Sequence, residues 1–405
     1  MEVIHERCCG LDIHKKSIVV CLSLPGPKGA ATTTVRTFGA MTGDILALLD
    51  WLVEAGCTQV AMESTDVYWK PIWNLLEGVF TLLLVNPRHM KAVPGRKTDV
   101  SDAEWIASLL RHGLLTGSYV PERAQRELRE LTRYRTTLVR ERTAEANRLQ
   151  KTREGATIKL AAVATDILGK SGREILTALI AGATDAAALA QYAQGRLREK
   201  LPALEQALVG QFGAHQRFMV ARQLAHIDFL EATIAAVSGE IAARLQPADD
   251  LVARLDTIPG IGRYVAEIGT DMRRFPTAGH LASWAGMCPG SHESAGTQQG
   301  GRTRKGNAWL RAQLVQATHA AARKKGTYLE AQYRRLAARR GKSRAAMAVG
   351  HTILVIIYHI VRDGTVYEDL GPHSFVERDR QGTERRLVRQ LEGLGYTVML
   401  EPRAA

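Results

Sequence analysis

The first 115 residues hold five short apolar or β-branched runs, and their order leaves few ways to assemble them. RCCGLDI and SIVVCLSL flank the polar turn HKK, which predicts a hairpin. After a loop over 25–31, TTTVRTFG supplies a third strand rich in β-branched residues. The pattern then changes. Asp44 to Ala55 predicts a helix with Ile45, Leu48, Leu49 and Leu52 on one face. TQVAMES reads as a strand ending at Glu63, a helix runs through Trp69 and Leu76, and TLLLV is the fifth strand. The chain next crosses a cationic loop broken by Pro and Gly. It ends as an amphipathic helix whose buried face is marked by Trp105, Ile106, Leu109 and Leu110. Ser101 and Asp102 match the pattern of a helix start.

Three strands in a meander followed by strand–helix alternation is the order of an RNase H-like α/β domain. In that layout Asp12 lies on the first strand and Glu63 at the end of the fourth, while Asp99 and Asp102 open the last helix. All four are then expected at one edge of the sheet. Asp99 and Asp102 are three residues apart, so their side chains point the same way. Two acids at a helix start are ordinary, because carboxylates favour helix N-termini. Four repelling acids in these elements imply a cation. Hard oxygen donors suit Mg²⁺, and two ions about 3.5–4 Å apart would flank a phosphodiester. Arg88, Lys91, Arg96 and Lys97 stand beside the acids as expected phosphate contacts, with surface solubility as the plainer reading.

Charge supports a polyanionic partner. Lys and Arg number 54 against 41 Asp and Glu, for a net charge of +13, and the pI is about 9.7. The longest apolar run, Ile353 to Val361, is too short to span a bilayer and contains His359. The N-terminus has no signal-peptide pattern. Five cysteines without CxxC spacing are expected as reduced thiols of a cytoplasmic protein. Nucleic acid is therefore favoured over membrane.

At 405 residues the chain is too long for one core. The expected organisation is a catalytic domain over 1–123, a helical or coiled-coil region over 124–250, a mainly α C-terminal domain over 251–365, and a tail over 366–405. Arg133, Arg135, Arg140, Arg142, Arg148, Lys151 and Arg153 make the middle region's first helix strongly cationic. Its heptad spacing is loose, so a coiled coil and a solvated basic helix stay equally open. LDTIPGIGRYVAEIG predicts helix, tight turn, helix. Gly260 and Gly262 would bring backbone N–H groups to a phosphate, as in a helix-hairpin-helix, with a plain αα-hairpin as the alternative. Between Trp284 and Trp309 lies a glycine-rich polar loop too long for a connector, followed by a strongly basic helical stretch.

Several blocks together resemble the insertion sequence 110 family of transposases. They are GLDIHK, AMESTDVYW, VNPRHMKAVPGRKTDVSDAEWIA, LDTIPGIG and AGMCPGSHESAGTQQGGRTRKGNAWLR, and the resemblance spans about residues 8–365. These are DEDD-type recombinases with a RuvC-like domain followed by a C-terminal transposase domain. The resemblance implies that Asp12, Glu63, Asp99 and Asp102 form the metal-binding acidic tetrad and that Ser294 is the nucleophile. It also implies a composite site, a homo-oligomer (dimer or tetramer), donor and target DNA, and a non-coding bridge RNA that pairs with both. Arg302, Arg304 and Lys305 join the Gly260–Gly262 turn as expected nucleic-acid contacts. A phosphoserine ester would conserve the phosphodiester's free energy for rejoining. His280 and His292 lie near enough in sequence to assist. The chain departs from the family at Asp66 and at Ala295, where Gly is frequent. Two other readings compete: a RuvC-type junction nuclease that uses water, and a non-catalytic nucleic-acid scaffold.

Overall fold

A computed structural model describes the chain except for residues 1, 28–29, 65, 88–89, 91–100, 259–264, 291–292, 295, 299–300, 302, 304, 376–379 and 400–405. The chain forms two compact units, Met1–Arg123 and Ala124–Ala405.

The first unit is built on a six-stranded sheet in the order β3-β2-β1-β4-β5-β6. Its strands are β1 (Cys8–Ile13), β2 (Ser17–Pro25), β3 (Ala31–Gly39), β4 (Gln59–Glu63), β5 (Thr81–Val85) and β6 (Gly117–Ser118). The first three form the antiparallel meander, whereas β4 and β5 add to β1 in parallel. Parallel pairing needs crossovers, and α1 (Thr42–Glu54) and α2 (Trp69–Leu76) stand at the two positions where they are required. Two-residue β6 carries too little pattern to announce itself in the sequence.

Alternation along β1 and β4 sends successive side chains to opposite faces. Leu11, Ile13, Val60 and Met62 pack with Leu48, Leu52, Ile72 and Leu76 of α1 and α2. Cys8 and Ala61 face the other way, onto Ile106, Leu109 and Leu110 of α3 (Asp102–Arg111). This is the arrangement expected of an RNase H-like α/β domain. All five cysteines are free thiols, and burial pushes the Cys8 thiol up to about 11.

The second unit is helical. Its spine is α4 (Arg123–Gly155, 33 residues), about 48 Å long at 1.5 Å per residue. Four short helices follow, α5 (Leu160–Val163), α6 (Lys170–Ala181), α7 (Ala186–Ala190) and α8 (Leu201–Leu208), gathered on their own small core. The chain then returns along α9 (Ala214–Leu245). Arg244 bonds Glu127 at 2.9 Å, Arg135 bonds Ser238 at 2.7 Å and Arg142 bonds Glu231 at 2.8 Å. Partner numbers fall on one helix as they rise on the other, so α4 and α9 pair antiparallel. Polar ladder contacts replace many of the apolar seam positions, and this is why the heptad spacing looked loose.

Beyond α9 come α10 (Asp249–Asp256), α11 (Val265–Ile268), α12 (Ala278–Trp284), the two-stranded β7 (Glu293–Ser294) and β8 (Thr297–Gln298), α13 (Ala308–Ala321), α14 (Tyr328–Arg340) and α15 (Lys342–Asp363). The tail contributes α16 (Arg380–Gly393). The apolar run at 353–361 belongs to a helix of 22 residues, long and apolar enough by length and composition to cross a bilayer. It is instead the core helix of this unit. Val349, Ile353, Leu354, Ile357 and Tyr358 are buried with Leu281, Leu310 and Leu314, and the Tyr358 hydroxyl donates to the Phe275 carbonyl at 2.8 Å.

Candidate active site

Asp12 and Glu63 are placed by the sheet. The β1–β4 register pairs Leu11 with Met62, so one step further Asp12 lies beside Glu63. Both fall on the α3 side, since each is two residues beyond a residue that packs there: Gly10 before Asp12, Ala61 before Glu63. Gly10 is the seat of the helix. A Cβ on it would overlap the Ala103 carbonyl oxygen and the Ala107 nitrogen, so only glycine lets α3 come this close.

The helix runs against β1. Cys8 lies near its later turns, with the thiol 3.7 Å from the Ala107 carbonyl, and Gly10 lies under Ala103. Its first residue, Asp102, is therefore carried toward the carboxyl ends of β1 and β4. The start is fixed by a capping box: the Ser101 hydroxyl accepts from the Glu104 N–H, and the Glu104 carboxylate accepts from the Ser101 N–H at 3.0 Å. The same Ser101 hydroxyl and N–H hold the Glu104 carboxyl below its ordinary range.

Asp12 is partly shielded, its side chain 17% exposed, and its Oδ2 lies 3.2 Å from Nε2 of His14. His14 was not singled out in the sequence; it sits two residues beyond Asp12 on the same side, which is the only hint a sequence could give. Glu63 is half-buried and Asp102 exposed. Asp99 lies outside the described residues, as do Arg88, Lys91, Arg96 and Lys97. Among the described residues no three His, Cys, Asp or Glu side chains close on a single point. In kind, though, the donors fit a hard divalent cation. Asp12 and Glu63 lie at the ends of neighbouring strands and Asp102 opens the helix packed on that face, and carboxylate oxygens are the donors such a cation takes.

Asp66 follows β4 with φ of +43°, a left-handed backbone that favours glycine. The frequent family glycine at this position thus has a conformational reason, and Asp is among the few other residues that accept it.

In the second unit Ser294 lies in β7 and pairs with Thr297 of β8. Gly296 has φ of +74°. Among the described residues of the stretch between the two tryptophans, β7 and β8 pair antiparallel and further contacts tie its two ends together. Pro289 bridges to Thr303, Arg311 donates to the Gly286 carbonyl at 2.8 Å, and Gly306 packs on the backbone of Ala285 and Gly286. Gly260, Gly262, His292, Ala295, Arg302 and Arg304 lie outside the described residues, and with them the middle of the expected helix-hairpin-helix. Lys305 is exposed and borders an open depression with Arg311 and Val315. His280 is exposed, its Nδ1 2.8 Å from the Thr277 hydroxyl of a local cap.

The strongest feature missed by sequence reasoning is Glu267 of α11. It is fully buried, accepts two bonds from Arg133 at 2.8 and 2.9 Å, and accepts one from the Asn307 side chain at 2.9 Å.

Two family models match the chain. A DEDD transposase model of the IS110 type matches residues 9–156, and the IS116/IS110/IS902 transposase family model matches residues 252–334. A relative from Pseudomonas aeruginosa, described as a probable family 20 transposase, is 29% identical over 275 residues. The match covers 65% of this chain and 71% of that protein.

Proposed function

Since the chain belongs to the IS110 family of transposases, we propose that it is an RNA-guided DNA recombinase that cuts and rejoins strands through a serine ester. The reading is supported first by the acids. Asp12, Glu63 and Asp102 are carried to one sheet end by a register, a glycine seat and a capped helix start. With Asp99 they would hold Mg²⁺, which when bound stabilises charge on the phosphate and on the oxygens entering and leaving it. His14 bonds Asp12 and keeps that carboxylate oriented.

Ser294 lies in β7, paired with β8, between Pro289 and Thr303, which bridge to each other. Its hydroxyl oxygen attacks phosphorus, the bond from phosphorus to a deoxyribose oxygen breaks, and that oxygen leaves as a hydroxyl carrying a proton. One phosphodiester is exchanged for one phosphoserine ester. A strand-end hydroxyl then attacks the ester, the new DNA linkage forms, and Ser294 takes its proton back. No external energy is consumed.

Sequence recognition is assigned to a bridge RNA paired with donor and target DNA. The protein's share is charge and shape, supplied by its cationic helices, and the excess of +13 supports that division. A dimer or tetramer is the proposed working form.

The test is to incubate protein, guide RNA and DNA with Mg²⁺ and separate the products under denaturing conditions. A protein–DNA adduct in the wild type and none in Ser294→Ala is expected. Nicked DNA with no adduct would favour a water-using nuclease. Binding with no cleavage, unchanged in Asp102→Ala, would make the chain a scaffold.

A further inference from the structure

The root of the hairpin loop is fastened to one helix from both ends. Trp284, where the loop begins, lies under the Arg129 guanidinium, 5.6 Å from guanidinium carbon to ring centre. Trp309, just beyond its end, lies under Arg133 and Arg140 at 5.9 and 5.3 Å. All three arginines belong to α4, at the base of the antiparallel helix pair.

Glu267 joins these ties into one unit. Its carboxylate takes both bonds of Arg133, and its backbone carbonyl accepts from Arg129. The remaining acceptor capacity of Oε2 goes to the side-chain amide of Asn307. Asn307 in turn caps α13, its carbonyl oxygen accepting from the N–H groups of Trp309 and Leu310 at 3.1 Å each. The chain of bonds therefore runs α4, Glu267, Asn307, loop root. A side chain with no exposure and three charge-assisted or amide bonds has one place to be.

We propose that Glu267 is a positioning residue for Ser294: its buried carboxylate ties the base of the α4–α9 pair to the root of the serine hairpin and so sets where the hydroxyl stands. Glu267 touches neither DNA nor any metal in this account. The inference rests on the serine reading above. The Asn307 link can be cut without removing the carboxylate: α13 keeps its cap, and Arg129 of α4 keeps its bond to the Glu267 carbonyl.

Asn307→Ser isolates the link. Serine is as good a helix cap as asparagine but has no amide to reach Glu267. Glu267→Gln keeps an acceptor for Asn307 and loses the charge facing Arg133. The experiment measures single-turnover adduct formation on one guide RNA and DNA pair for wild type, Asn307→Ser, Glu267→Gln and Ser294→Ala, with DNA affinity and melting temperature alongside. Hydrogen exchange over residues 285–307 is followed in the same proteins. Displacing a reacting group by about 1 Å costs on the order of 100-fold in rate. Asn307→Ser is expected to slow the adduct about 10- to 100-fold at unchanged DNA affinity and melting temperature, with faster exchange at the loop root, and Glu267→Gln is expected to slow it less. An Asn307→Ser protein with wild-type adduct rate and wild-type exchange would overturn the positioning role. Failure of the serine reading looks different: the active wild type would form no adduct, or Ser294→Ala would still form one. Equal slowing together with a fall in melting temperature in both variants would also overturn it, since the residue would then be only structural.

Discussion

The acids and the serine stand on opposite kinds of support. Asp12, Glu63 and Asp102 are held by backbone: a strand register, a glycine seat and a helix start over a core of apolar side chains. Ser294 sits on a two-residue strand whose root is held by side chains, namely Glu267, Asn307 and arginines over two tryptophans. Backbone-held groups tolerate surface change and fail when a core contact is altered. A side-chain-held group can be shifted without unfolding anything. Under the proposed function, rigid acids and an adjustable serine would let chemistry wait for the correct DNA.

The contrast breaks most visibly at Glu267. Glu267→Ala strips one side from a buried ion pair, and chemical denaturation is expected to show a loss of about 3–5 kcal/mol. A loss under about 1 kcal/mol would mean that polar ties contribute little to this unit. Gly10→Ala comes next, because the new Cβ meets helix backbone rather than a yielding side chain. A destabilisation of about 1–3 kcal/mol is expected, with cleavage falling because Asp102 moves with α3. Unchanged cleavage in a destabilised Gly10→Ala protein would detach the helix from the site. Ser101→Ala removes the cap of α3 and should cost about 1 kcal/mol in a thermal melt. Its effect ought to shrink on acidification: the folded-state pKa of Glu104 is lowered, so its share of the box is present above the ordinary glutamate range and fades as pH falls through the folded value. The smallest change is Asp66→Gly, which relieves a left-handed backbone and should stabilise by under about 1 kcal/mol.

The same contrast explains what could be read in advance. Apolar runs and turn residues report backbone elements, so the meander, the crossovers and the helix after β5 were legible, and with them the placement of Asp12, Glu63 and Asp102. Gly10 was not, because a glycine in a strand does not say which helix will rest on it. Antiparallel pairing of α4 with α9 was hidden by arginines and glutamates standing where an apolar seam would show. Glu267 was hidden more completely. In RYVAEIG it is one acid in an apolar helix, and its partners lie 134 and 40 residues away. The two tryptophans looked like loop boundaries, and their position under α4 is a tertiary fact.

The most direct measurement is to digest the protein–DNA adduct and map by mass spectrometry which peptide carries the nucleotide. The account predicts the mass on Ser294, and a loss of the adduct in each of Asp12→Asn, Glu63→Gln and Asp102→Asn although DNA still binds. Nucleotide on any other residue, or wild-type labelling in the Asp102→Asn protein, would contradict it.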